Sequence, residues 1–178
     1  MILVMIAIMI GAIALDQLTK WLTVTYMEYR ETIPIWQDVF HFTHERNEGA
    51  AFGMLSDHRW VFMVVSTVAI VGILIYLFRF TPKSKIMQIS LSMIVGGGIG
   101  NMIDRVYLGY VIDFIDVRLI DFAVFNVADS FVTVGAFLLM GYMIYDTVKE
   151  YQREKVAKNQ QAEAAENQEE QNDAENGN

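Results

Sequence analysis

The sequence predicts an all-α membrane protein of four transmembrane helices, with both termini cytoplasmic and a small extracytoplasmic region of strands or short helices. Three observations predict it. Of 178 residues, 54% are apolar, an excess over what a soluble core of this size needs. Four windows approach the roughly 20 apolar residues that a bilayer-spanning helix requires. Lysine and arginine gather in the connections that an even number of spans places on one side.

The first span covers about residues 2–25 and is apolar except for Asp16, Gln17 and Lys20. It lacks the basic start and small-residue cleavage site of a removable leader. The second, residues 60–78, is uninterrupted between Arg59 and Arg79. The third, residues 86–103, is shorter and rich in small residues, including Gly96, Gly97, Gly98 and Gly100. Such a run admits a neighbouring helix, or an extended substrate, close to the backbone. The fourth covers residues 122–145. Together they make one membrane unit over residues 1–148, followed by a polar tail over 149–178.

Arg79, Lys83 and Lys85 between spans two and three stand without an acid, and a basic cluster follows span four. Both regions are expected in the cytoplasm. The Tyr26–His58 and Asp104–Asp121 connections are acidic and belong outside. Within the longer one, Ile33-Pro34-Ile35-Trp36 and Phe40-His41-Phe42 suit strands or short helices on the membrane surface. The tail carries about half of the net charge of −8 and no apolar periodicity from about Asn159, so it is expected to be disordered. No basic stripe suggests nucleic acid, and the absence of cysteine excludes disulfides and thiolate chemistry.

Ionisable groups inside spans are costly, by a few kcal/mol each on insertion scales. Asp16 and Lys20 stand four apart and share one helical face. They fit an internal ion pair, a snorkelling lysine or a place beside a site. Span three ends Gly100-Asn101-Met102-Ile103-Asp104-Arg105, and span four begins Phe125-Asn126-Val127-Ala128-Asp129-Ser130. Each holds Asn-x-x-Asp on one face, and opposite span directions bring the two tetrads to one depth near the outer interface. An acid suits a helix start, as at Asp129, but not a helix end, as at Asp104. Two close carboxylates share a proton, giving an acid and a base together. The expected chemistry is aspartic hydrolysis of a peptide bond, with Asp129 ionised and Asp104 protonated. Arg105 suits loop anchoring or a lipid phosphate. His41 and His44 lack a third ligand at metal spacing and read as surface histidines.

These residues resemble the bacterial lipoprotein signal peptidases. The matching blocks are Asp16-Gln17-Leu18-Thr19-Lys20, Arg46-Asn47-Glu48-Gly49-Ala50-Ala51-Phe52-Gly53, Gly100 to Arg105, Val111-Ile112-Asp113-Phe114-Ile115-Asp116, and Phe125 to Ser130. They occur in the family's order over about residues 16–135. The resemblance implies a membrane aspartic endopeptidase of the bacterial plasma membrane. It would remove signal peptides from prolipoproteins at the bond before a diacylglyceryl-modified cysteine. It further implies Asp104 and Asp129 as catalytic, with Asp16, Lys20, Asn47, Asn101, Arg105 and Asn126 supporting the dyad, substrate or lipid. Inhibition by globomycin would follow, with no metal or organic cofactor and no obligate protein partner. The alternatives are a proton-coupled transporter, since paired intramembrane acids also relay protons, and a non-catalytic membrane adaptor.

Overall fold

A computed structural model describes residues 1–49 and 59–176. Residues 50–53 of the second matching block, and the rest of that connection to residue 58, lie outside the described residues. Among the described residues, four helices are long and apolar enough to cross a membrane. They are α1 (Ile2–Tyr26), α2 (Arg59–Ile75), α3 (Lys85–Tyr107) and α4 (Val127–Asn176). An antiparallel sheet orders β1 (Thr32–Trp36), β2 (Phe40–Asn47) and β3 (Val111–Asp116) as β1-β2-β3. Met1–Leu139 forms one compact unit, which holds the sheet, and Met140–Asn178 a second.

Helix α1 buries Met5, Met9, Ala12, Asp16, Lys20 and Thr23. Steps of three and four residues make these one stripe, while Leu3, Ile10, Leu18 and Trp21 face outward. In a bilayer, outward apolar surface is already solvated, so close packing rather than hydrophobic burial joins the helices. The glycine run of α3 supplies that closeness. A β-carbon on Gly96 would meet Ala12 and Met9 of α1, one on Gly97 would collide with Ala128 and Val132 of α4, and one on Gly98 would meet Ile70 of α2. Three consecutive positions therefore serve three neighbours, and the run is a packing device.

The helix ends have local causes. Helix α2 widens into a π-helical turn at Tyr76–Phe80. Thr81 then takes a left-handed φ of 42°, and Pro82 cannot extend the helix. Ser84 caps α3, its hydroxyl accepting from the Met87 N–H. The third span runs to Tyr107 rather than 103, so Asp104 and Arg105 lie within its last turn. Leu108 and Gly109 N–H groups close that turn on the Asp104 carbonyl.

The fourth span begins later than the predicted residue 122. Residues before it are held extended, because Phe114 and Ile115 donate N–H groups to the Phe125 carbonyl and Phe125 donates to Ile115. The tail differs as well: α4 continues to Asn176 where disorder is expected from composition. Alanine, glutamate, glutamine and lysine are strong helix formers, and local propensity extends a helix without any apolar stripe.

In the sheet, Thr32 pairs with Thr43 and the hydroxyls meet at 3.1 Å, a cross-strand contact that helps fix register. The β2–β3 register sets Asn47 opposite Val111 and Glu45 opposite Asp113. His41 and His44, expected at the surface, are buried at 3% exposure each. The paired strands cover them, and His44 Nδ1 lies 3.1 Å from the Met27 carbonyl.

Candidate active site

The end of the helix unit that carries the sheet holds a buried polar cluster drawn from α1, α3, β2, β3 and the start of α4. At its base, Lys20 Nζ lies 2.8 Å from Asp16 and 2.9 Å from Asp104. All three residues are at most 3% exposed. Gln17 donates to Asp104 Oδ1 at 2.9 Å and to the Gly100 carbonyl at 3.2 Å. Asp16 Oδ1 accepts the Ala128 N–H at 2.9 Å, so a carboxylate of α1 fills an open donor of the first turn of α4. Gly100 makes room for this: a β-carbon there would stand 2.6 Å from Asp16 Oδ2.

Asn126 precedes α4 and acts as its cap. Its side-chain oxygen accepts the Asp129 N–H at 2.9 Å, while Asp129 Oδ2 accepts the Asn126 N–H at 3.2 Å. This reciprocal pairing of residues three apart is a capping box, and it orients the Asp129 carboxylate. The Asn126 amide nitrogen then donates to Asn101 Oδ1 at 3.0 Å and to Asp113 Oδ1 at 2.6 Å. Asn101 takes a second donor from Lys20 at 2.8 Å and donates to Asp129 Oδ1 at 2.7 Å. Asn47, at the end of β2, donates to Asp113 Oδ2 at 2.9 Å. Arg105 is half-buried, within electrostatic reach of Asp129, Asp113 and Asp104.

The predicted residues thus occupy two tiers. Asp16, Lys20 and Asp104 form the buried lower tier with Gln17. Asn101 and Asn126 lead from it to Asp129, which is partly exposed, and Asn47 and Arg105 stand at the rim. Asp104 does not share a ligand with Asp129; its oxygens are taken by Lys20, Gln17 and the Ile112 N–H. The carboxylate that shares Asn126 with Asp129 is Asp113.

The expected site residues do not include Asp113, which lies in a connection rich in acids. Its signal was local: it sits between Val111-Ile112 and Phe114-Ile115, an apolar run that a solvated loop would not carry. Asp113 is 2% exposed. Burial pushes its carboxyl from 3.8 up to about 7, against the Asn47 and Asn126 hydrogen bonds and the Lys20 charge and with a contribution from the Asp129 charge. A carboxyl titrating near neutrality, bound through one amide to a second carboxylate, is equipped to give and receive a proton.

A cluster of this kind at the end of membrane-spanning helices defines an intramembrane aspartic hydrolase. The family described as signal peptidase (SPase) II matches residues 8–145, and the chain belongs to that family. It is 49% identical over 128 residues to the lipoprotein signal peptidase of Brevibacillus brevis, covering 72% of this chain and 86% of that one. With that of Bacillus subtilis it shares 43% over 151 residues, covering 84% and 97%. Among solved structures, it is similar to a bacterial membrane enzyme determined in meso, with a TM-score of 0.76, 32% identity and coverage of 81% and 89%. The chain is an aspartic peptidase of the membrane, with four helices among the described residues long and apolar enough to cross it.

Proposed function

We propose that the protein removes signal peptides from diacylglyceryl-modified prolipoproteins, with Asp113 and Asp129 as the catalytic carboxylates. The bond cut is the one preceding the lipidated cysteine, and the site opens on the extracytoplasmic face. The observation that carries the choice of carboxylates is Asn126, whose backbone and side chain hold Asp129 while its amide holds Asp113. Asp104, in this reading, is a positioning residue that anchors Lys20.

Asp129 accepts from Asn101 and the Asn126 N–H at a helix start. It serves as the base and takes a proton from water. The resulting hydroxide attacks the scissile carbonyl carbon, while protonated Asp113 gives its proton to the carbonyl oxygen. Asp129 then returns its proton to the amide nitrogen, the carbon–nitrogen bond breaks, and Asp113 recovers a proton as the carboxylic acid forms. Arg105 and Asn47 stand at the rim, where the peptide backbone or the lipid headgroup region of the substrate would pass.

Orientation rests on charge. Arg79, Lys83, Lys85 and the cluster after span four fit the cytoplasm, which leaves the sheet outside and both termini inside. A diacylglyceryl cysteine, held by its acyl chains, presents its scissile bond at headgroup depth, the depth of the ends of α3 and α4. Globomycin would occupy the same space and compete with the substrate.

The test is cleavage of a purified diacylglyceryl prolipoprotein by Asp113→Asn, Asp129→Asn and Asp104→Asn variants. Loss of turnover in the first two, with fold retained, is expected. Turnover surviving in a folded Asp113→Asn protein would return the second catalytic role to Asp104.

A further inference from the structure

Arg46 lies one residue before Asn47 on β2, and successive strand residues point to opposite faces. Asn47 reaches Asp113, while Arg46 is exposed on the other face. There its guanidinium carbon lies 4.6 Å from the centre of the Tyr29 ring and 4.9 Å from that of Tyr110. Tyr29 belongs to the connection between α1 and β1; Tyr110 directly precedes β3. A cation between two aromatic faces is a stable, directional contact, and a planar guanidinium stacks on both. The clamp therefore ties two separate connections to the end of β2, one residue from a ligand of the catalytic carboxyl. Tyr29 is itself braced, edge-on to the His44 ring at 6.0 Å.

We propose that Arg46, clamped between Tyr29 and Tyr110, is a positioning residue that fixes the end of β2 so that Asn47 keeps its hydrogen bond to Asp113. This rests on the reading of Asp113 as the catalytic acid. Arg46 acts through the strand and does not touch the reacting atoms. The charges facing Asp113 from other elements are Asp129 from α4, Lys20 from α1 and Arg105 from α3, with Glu45 opposite it in β2. A change at Arg46 removes none of these side chains, although Glu45 accepts from the Tyr29 hydroxyl and the Arg46 backbone N–H.

Donation by Asn47 favours the ionised form of Asp113. When the strand end loosens, the carboxyl holds its proton to higher pH, and the alkaline limb of the kcat profile moves up. The experiment compares Arg46→Ala, Arg46→Lys and Tyr110→Leu with the unaltered enzyme, measuring kcat and KM against pH on a diacylglyceryl prolipoprotein, with thermal unfolding as the check on fold. Loss of one hydrogen bond corresponds to an upward shift of roughly half to one pH unit. Arg46→Ala and Tyr110→Leu are expected to shift the limb by that amount, and Arg46→Lys, which keeps a cation over the rings, by less. KM is expected to stay within about twofold, since Arg46 faces away from the substrate.

A raised KM with an unmoved profile would make Arg46 a substrate contact and overturn the proposal, as would kinetics unchanged in all three variants. An Asp113→Asn enzyme that still cleaves would overturn the reading of the dyad itself. An inactive Asp113→Asn enzyme beside an unshifted Arg46→Ala enzyme would overturn only the role of Arg46.

Discussion

Replacing Asp113 with asparagine is expected to abolish cleavage and, above neutral pH, to make the protein more stable. The folded protein raises this carboxyl from 3.8 to about 7, chiefly by burial. The native state therefore holds a proton that the unfolded chain releases, and stability falls as pH rises from about 4 through about 7. Above 7 the full cost of the buried charge stands. Some three pH units at ~1.4 kcal/mol each put it at roughly 4 kcal/mol. Asparagine carries no such charge, although its own N–H group meets the amide donors of Asn47 or Asn126 and returns part of the gain. A net stabilisation of roughly 2–4 kcal/mol at pH 8, or several °C in Tm, remains. At pH 5, where Asp113 is protonated in the native state, the difference should be much smaller. Thermal unfolding of both proteins in one detergent from pH 5 to pH 8 measures it, alongside the cleavage assay. A difference in Tm that stays flat with pH would refute the argument from burial.

Other substitutions separate the two tiers of the site. Asp104→Asn removes one of two acids from the buried Lys20 and should cost roughly 3 kcal/mol of stability, visible as a lowered Tm. Gly100→Ala places a methyl group against Asp16 Oδ2, and should lower both Tm and kcat by pushing that carboxylate off the Ala128 N–H. Asn126→Ala removes a helix cap worth about 1 kcal/mol and the side-chain donor to Asp113, and keeps the backbone N–H that binds Asp129. Its kcat should fall by roughly 10²-fold or more, in single-turnover assays, with a smaller change in KM. A chain ending after Val148 should cleave at the rate of the full chain, since every residue of the cluster described above belongs to Met1–Leu139; a tenfold fall in kcat would assign the tail a role.

The spans were legible because lipid allows few solutions. A backbone crossing it must satisfy its own hydrogen bonds, so apolar length alone announces a helix. Asp16 and Lys20 were conspicuous for the same reason, being charges in an apolar run, and Asn126 with Asp129 had the spacing of a capping box. The start of α4 differs from the sequence reading, because Phe122 to Phe125 are apolar enough for a span, whereas Phe125 pairs with β3 and the Phe122 N–H donates to the Val117 carbonyl. The apolar run around Asp113 marks it locally, but not the partners that bury it. Its burial depends on β2, more than sixty residues earlier, and on the segment before α4; no window around residue 113 contains either. Asp104 was the opposite case. Its position at a helix end made it look unexplained until Lys20, from the other end of the chain, was seen to neutralise it.

The contact between Asp16 and the Ala128 N–H joins the first span to the last, across 112 residues of sequence. In a chain made from its N-terminus, that bond forms only after every span has entered the bilayer. Asp113 and Asp129 lie on either side of the Phe125 bridge, so they too meet late. A nascent chain lacking its final helix has no place to hold the water or share the proton. If Asp113 and Asp129 are the catalytic pair proposed above, the peptidase is inert until its last helix is in place.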